Sequence, residues 1–304
     1  MTSRIPLDPF VLVCPYWRRF PIATFLLIDG GLIFRNFFAL PPMTDPAGRP
    51  VNAVYGFMAM LFREVAAIQP SHLAVAFDVP VAQNHRTQLY GSYKGNRPEC
   101  PADLAPQFDI LREVLTALGI ACLQAPGYEA DDILGTMART AEEAGMDASL
   151  LSGDRDVLQL LRGPTQVRYV KKLNAPETYD VPRFVHEFEL LPRQLIDLKG
   201  LAGDTSDNIP GIHGVGPKTA VKLLQEYETL ESVLENAHQQ TGKLRERLTT
   251  GREVALLSKQ LATIHCFVPD LPGPEACRLA IQREAGRAKF EELRFRSLLG
   301  RVAG

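Results

Sequence analysis

Nine acidic residues stand in short clusters: Asp29, Asp78, Glu129-Ala-Asp131-Asp132, Asp154-Arg-Asp156 and Asp204-Thr-Ser-Asp207. Any one cluster reads equally well as a helix cap or a turn. Brought together, the acids would repel, since two carboxylates ~4 Å apart cost about 4 kcal/mol at an effective dielectric of ~20. Several such pairs would offset most of the ~5–15 kcal/mol that keeps a domain folded. Convergence therefore requires cations. An all-oxygen ligand set favours Mg²⁺ or Mn²⁺ over zinc. Two such ions ~3.5–4 Å apart can hold a phosphodiester and support its hydrolysis. No Ser-His-Asp or Cys-His arrangement competes for this role.

Two further segments carry chemistry suited to a phosphate. Arg86 to Pro98 is basic, aromatic and loop-prone, with Arg86, Tyr93, Lys94 and Arg97. Arg and Lys hold phosphates, and Tyr can stack on a base; the segment also reads as a solvated loop. Gly211-Ile-His-Gly214-Val-Gly216-Pro-Lys218 is a glycine-rich turn entering a helix. Its N–H groups can approach a phosphate closely, and Lys218 and Lys222 share a helix face. A nucleotide-cradling loop is the weaker reading, because no strand precedes the glycines.

The elements that must position these groups follow from hydrophobic pattern. Apolar runs Thr24–Ile28, His72–Phe77 and Ala148–Ser152 each lead into acid, as strands buried on both faces of a parallel sheet would. Val51–Ala67, Leu104–Leu118 and Ile133–Ala144 have helical spacing, the last closed by Gly145. Alternating strand and helix predicts an α/β fold, whose ligands sit at the carboxyl ends of the strands. From about residue 191 the chain reads as helical. The expected organisation is a tail or upstream extension at 1–23, an α/β core at 24–190, and a helical lobe at 191–304.

Composition sets bounds on the function. The 304 residues are 46% hydrophobic and 22% charged, ordinary for a globular chain. No apolar run has the length of a membrane span. Five cysteines without CxxC spacing suggest free thiols in a reducing cytoplasm rather than a zinc site. The net charge is −2, but setting nine acids aside leaves 26 against 33 basic residues, an excess of seven positive charges. A basic chain around an acidic, cation-filled pocket suits a nucleic-acid substrate.

Four strings in order carry a resemblance: Tyr93-Lys94-Gly-Asn-Arg97-Pro98, Gly127-Tyr-Glu129-Ala-Asp131-Asp132, Ser152-Gly-Asp154-Arg-Asp156, and Gly203 through Thr219. Together they resemble the 5′-3′ exonuclease and flap endonuclease family, in particular the 5′-nuclease domain that opens bacterial DNA polymerase I. The resemblance runs from about Thr24 to Val302, and no polymerase follows, so a stand-alone nuclease is expected. It implies a PIN-like parallel-sheet nuclease core, a helical arch at about 83–103, and a helix-hairpin-helix lobe. Asp29, Asp78, Glu129, Asp131 and Asp132 would hold a first metal region; Asp154, Asp156, Asp204 and Asp207 would complete a second. Lys94 would polarise the scissile phosphate with Arg97 assisting, while Arg35 and Arg86 steer the substrate strand. Gly211, Gly214 and Gly216 would bind duplex DNA, and family members often hold K⁺ there. The Asp29–Arg35 interval is one residue shorter than usual, and Asp78–Arg86 one longer. The implied function is Mg²⁺- or Mn²⁺-dependent hydrolysis of DNA at 5′ flaps, 5′ ends or RNA-primed strands, by a cytoplasmic monomer active in replication and repair. A non-catalytic DNA-structure-binding protein and an RNase of a related fold are the alternatives.

Overall fold

The apolar runs become strands because each can bury both faces. In the computed structural model, which describes residues 23–173 and 175–303, six strands form one sheet. They are β1 (Thr24–Asp29), β2 (His72–Ala76), β3 (Ala121–Leu123), β4 (Asp147–Ser152), β5 (Gln166–Lys172) and β6 (Ala175–Tyr179), in the order β3-β2-β1-β4-β5-β6. The first four pairings are parallel, and β6 joins the edge antiparallel to β5. Period-two alternation assigns the faces. Phe25 and Leu27 enter one core cluster, Leu26 and Ile28 the other. The proposed 1–23 tail lies, apart from Ala23, outside the described residues.

Thirteen helices are described: α1 (Leu32–Ala39), α2 (Asn52–Ile68), α3 (His85–Leu89), α4 (Ala105–Ala117), α5 (Ala130–Glu143), α6 (Val181–Phe188), α7 (Leu195–Ala202), α8 (Pro217–Tyr227), α9 (Leu230–Glu235), α10 (Gly242–Thr250), α11 (Arg252–Ala262), α12 (Arg283–Glu292) and α13 (Leu299–Ala303). Helices α2 and α4 cover one face of the sheet. Helix α5 covers the other, burying Ile133, Leu134, Met137, Ala138 and Ala141 at helical spacing. Each of its three large side chains contributes roughly 1.5–3 kcal/mol of burial. The same cluster continues through Val157–Leu161 into α7, α8, α9 and α11, so the sheet and the helical lobe share a core.

The expected assignment of all of 191–304 to the second lobe needs correction. Leu279 N donates to Ser71 O, and Phe290, Leu293, Phe295, Leu298 and Val302 pack with α2 and α4. Helices α12 and α13 thus complete the layer over the far face of the sheet. The arch expectation also changes. Residues 83–103 contain a five-residue α3 and then turns, not a long standing helix.

Strands β2 and β4 occupy the two edges of β1, and the strand order reverses between β1 and β4. Connections there leave in opposite directions, opening a crevice at the carboxyl ends. Asp29 ends β1, and Gly153-Asp154 follow β4, so the fold places both acids at that crevice.

Candidate active site

Asp29, Asp78, Asp131 and Asp154 face one cavity of about 340 Å³, together with Lys94, Arg97 and Arg35. Asp29 accepts hydrogen bonds from Gly31 N at 2.7 Å and Ser152 Oγ at 2.9 Å. Asp154 N donates to the same Ser152 Oγ at 3.0 Å, tying the two acids through one buried hydroxyl. Asp78 accepts from Ala130 N at 2.7 Å, at the start of α5, where the helix dipole favours negative charge. Asp131 follows in the first turn of α5 and accepts no hydrogen bond from any described residue.

Burial, then repulsion from Asp78, pushes the Asp29 carboxyl up to about 7, against the Ser152 and Gly31 hydrogen bonds. Burial, together with Asp154 and Asp29, also holds Asp131 well above the carboxylate range. Such a group is held at a cost that a bound cation relieves. The four all-oxygen donors fit a hard divalent ion. Among the described residues, no three His, Cys, Asp or Glu side chains already close around a common point. The acids share a cavity rather than forming a finished cage.

The other five expected ligands have partners within the chain. Asp132 is fully buried and cannot face a metal. It accepts from Arg86 Nη1 at 2.8 Å, Arg86 Nη2 at 2.7 Å, His265 N at 2.8 Å and Glu129 N at 3.0 Å. Burial raises its pKa, and these donors more than reverse the shift. Glu129 accepts from Arg86 at 3.1 Å, from Tyr93 at 3.0 Å and from Lys94. Asp156 and Asp204 both accept from Lys199, the second at 2.5 Å, and Asp207 from Arg97 at 2.6 Å. Burial opposes ionisation of Asp204, yet Lys199 and Ser206 bring its carboxyl down to about 2. Lys199 thus supplies positive charge where a second metal was expected. Sequence reasoning passed over Lys199 and Ser152. The signal for Lys199 was a lone cation in the apolar run Leu195-Ile-Asp-Leu-Lys199-Gly-Leu201, five residues before Asp204.

Two expected substrate contacts are overturned. Arg86 is 2% exposed, and its guanidinium also donates to Leu261 O at 3.0 Å and Thr263 O at 2.7 Å. With every donor direction committed inward, it fastens α3 to α5 and α11 and does not steer a strand. Tyr93 is 3% exposed with its hydroxyl on Glu129, so its ring is not open for stacking on a base.

Lys94 and Arg97 do reach the cavity. Lys94 adopts a left-handed backbone (φ 54°), and its N donates to Asp207 O at 2.9 Å. Asn208 Nδ2 donates to Ser92 O at 2.7 Å, and Asn96 Nδ2 to Thr205 O at 2.7 Å. The two motif-bearing loops are therefore laced together, and the strained conformation at Lys94 aims its ammonium at Glu129 and the acids. Burial works against that ammonium's charge, but Glu129 and Asp207 keep its pKa above the ordinary value. Arg35 Nη2 donates to Gly153 O at 2.5 Å. A Cβ on Gly153 would lie 2.3 Å from Arg35 Nε, so only glycine leaves room for the guanidinium at this rim.

The glycine turn joins α7 to α8. Gly214 has φ +81°, and Lys218 and Lys222 stand exposed on α8. Ile212 N donates to Leu201 O at 2.8 Å, and Arg247 Nη1 to Gly214 O at 2.8 Å.

Residues 24–189 match the 5′-3′ exonuclease N-terminal resolvase-like domain, and residues 190–284 match the 5′-3′ exonuclease C-terminal SAM fold. The chain belongs to the 5′-3′ exonuclease family. This exonuclease-family chain is 43% identical over 281 residues to DNA polymerase I of Bacillus caldotenax, covering 91% of this chain and 32% of that one. It is 40% identical over 283 residues to DNA polymerase I of Bacillus subtilis, with the same coverage. The chain thus spans about a third of the length of the curated relatives it matches. Among solved structures, T5 5′-exonuclease with zinc bound superposes with a TM-score of 0.66 at 18% identity, covering 89% of this chain and 99% of that one. Flap endonuclease-1 of Methanococcus jannaschii gives 0.60 at 14%, covering 92% and 90%. Both have the fold of this exonuclease-family chain.

Proposed function

We propose that the chain hydrolyses phosphodiester bonds of DNA at 5′ flaps and 5′ ends, by a two-cation mechanism with Mg²⁺ or Mn²⁺. The supporting observation is the shared cavity: four carboxylates with unfavourable mutual repulsion, facing two cations, Lys94 and Arg97, that suit a phosphate. Bound divalent ions supply activation of the attacking water and stabilisation of the leaving oxygen. Asp29, Asp78, Asp131 and Asp154 would hold them, and recruiting Asp156, Asp204 or Asp207 requires Lys199 and Arg97 to yield. Lys94 and Arg97 would orient the non-bridging oxygens of the scissile phosphate, with Arg35 at the rim. Gly211, Gly214, Gly216, Lys218 and Lys222 would grip the duplex side without reading its sequence.

A T5 flap endonuclease with this fold has been solved with DNA and metal ions, which supports both the substrate class and the cofactor. A K⁺ ion at the glycine turn has less support, since Arg247 already brings a positive charge to Gly214 O. No described helix is long and apolar enough to cross a membrane. The four described cysteines are unpaired, in keeping with a reducing cytoplasm; there the chain would act as a monomer on RNA-primed or displaced strands during replication and repair.

The test uses labelled 5′-flap, 3′-flap, blunt-duplex and single-stranded DNA with Mg²⁺. Cleavage of the 5′ flap is expected, abolished by EDTA and reduced about 100-fold or more in Lys94→Ala and Asp131→Asn, the cost typical of losing one transition-state contact. Equal cutting of 3′ flaps, or full activity in Asp131→Asn, would sink the proposal.

A further inference from the structure

Helix α10 lies against the glycine turn. Its Arg247 donates to Gly214 O at 2.8 Å, and the guanidinium crosses the bare Cα of Gly214, where a Cβ would meet Arg247 Cζ at 2.5 Å. Gly251, just after the helix, abuts Ile212 in the same turn, 2.8 Å from where a Cβ would stand. The helix and the turn are therefore packed directly together. Lys243 is exposed four residues before Arg247, so it shares the face directed at the turn. Lys218 and Lys222 stand exposed on the turn's other side. None of these four cations has a carboxylate partner among the described residues, and Glu246, the acid of α10, pairs with none of them. Elsewhere the chain neutralises many of its cations: Arg86, Arg97, Lys199 and Lys259 all sit on acids. Unpaired charge collected around a phosphate-sized turn calls for a polyanion.

We propose that α10 is a second contact line for duplex DNA backbone, with Lys243 and Arg247 taking phosphates beyond those held by the turn. This rests on the reading of the Gly211–Gly216 turn as a duplex grip. Arg247 would have two parts: it seats the turn through Gly214 O, and its remaining N–H groups, which make no other hydrogen bond among the described residues, would take a phosphate. Arg245 supplies an internal control. It is exposed and equally basic, but two residues from Lys243 it points about 200° around the helix, away from the turn.

The experiment measures binding of the full chain to blunt duplex DNA in EDTA, by fluorescence anisotropy, over a series of KCl concentrations. Single-stranded DNA of the same length is the second arm. Lys243→Gln is expected to weaken duplex binding several-fold and to reduce the slope of log K against log salt by about 1, the effect of one lost phosphate contact. Arg245→Gln should leave the slope unchanged, and Lys218→Gln should lower it. Thermal unfolding midpoints should be the same in all three, because each side chain is exposed. An unchanged slope in Lys243→Gln with a lowered slope in Lys218→Gln overturns the α10 contact and leaves the duplex grip standing. Equal losses in Lys243→Gln and Arg245→Gln, or equal losses on single strands, overturn it in favour of diffuse charge. No effect in any variant overturns the duplex reading of the turn as well.

Discussion

Asp131 concentrates the problem that bound cations would solve at this site. Its carboxyl, held well above the carboxylate range, and that of Asp29, alone raised to about 7, bind protons more tightly in the folded chain than in the unfolded one. Between about pH 4 and pH 7 the folded state therefore holds the extra protons, and stability falls as pH rises. Asp204 acts outside this window: its carboxyl, brought down to about 2, contributes stability that is complete above pH 4 and lost only in acid. Metal-free protein should thus unfold at lower urea at pH 7.5 than at pH 5. Asp131→Asn should flatten the difference, and millimolar Mg²⁺ should raise the pH 7.5 midpoint; a metal-free midpoint that climbs through this range would contradict the repulsion argument. Arg86 makes the opposite case. Removing it strands buried Asp132, so Arg86→Met should cost about 3–5 kcal/mol in denaturant unfolding. A stable Arg86→Met protein with only a raised KM would restore Arg86 as a substrate contact.

At the scale of elements, the loops 92–97 and 204–208 act together. Asn208→Ala removes the donor to Ser92 O and puts alanine, which tolerates a left-handed backbone less well than asparagine, at φ 55°. It should lower the cleavage rate at saturating DNA by roughly tenfold, about 1.4 kcal/mol of misplacement at Lys94, while duplex affinity stays within about twofold. A larger loss in affinity than in rate would assign the loop to binding. Much of this scale was legible in sequence. The runs ending at Ile28, Phe77 and Ser152 became β1, β2 and β4, and α2, α4 and α5 began and ended within a few residues of their pattern. Strands β5 and β6 were not legible, because an edge hairpin carrying Arg168, Lys171, Lys172 and Glu177 has no continuous apolar run. The three-residue β3 is too short for a pattern. Spacing placed the acids at strand ends, but could not tell which of them face the cavity and which, like Asp132, turn inward to an arginine distant in sequence. That choice depends on where Arg86 and Lys199 fold, and residue type does not encode it.

Over the whole molecule, the chain closes its first-formed layer with its last helices. Phe290 is fully buried edge-on to Phe62 of α2, with ring centroids 6.0 Å apart. Phe290→Ala should lower stability by about 3–5 kcal/mol, as for other fully buried aromatic cavities. The loss should appear in cation affinity as well as in thermal unfolding, since α2 backs the strands that carry Asp29 and Asp78. Unchanged Mn²⁺ binding in a destabilised Phe290→Ala would separate the closing layer from the site. The same arrangement has a consequence in time. A chain emerging from a ribosome presents Asp29 early and α12 late, with some 250 residues made in between. Until that last layer leaves the exit tunnel, α2 and α4 expose an apolar face and the strands behind the acids lack their backing. The layer that backs the acid-bearing strands is therefore completed only once α12 and α13 have been made.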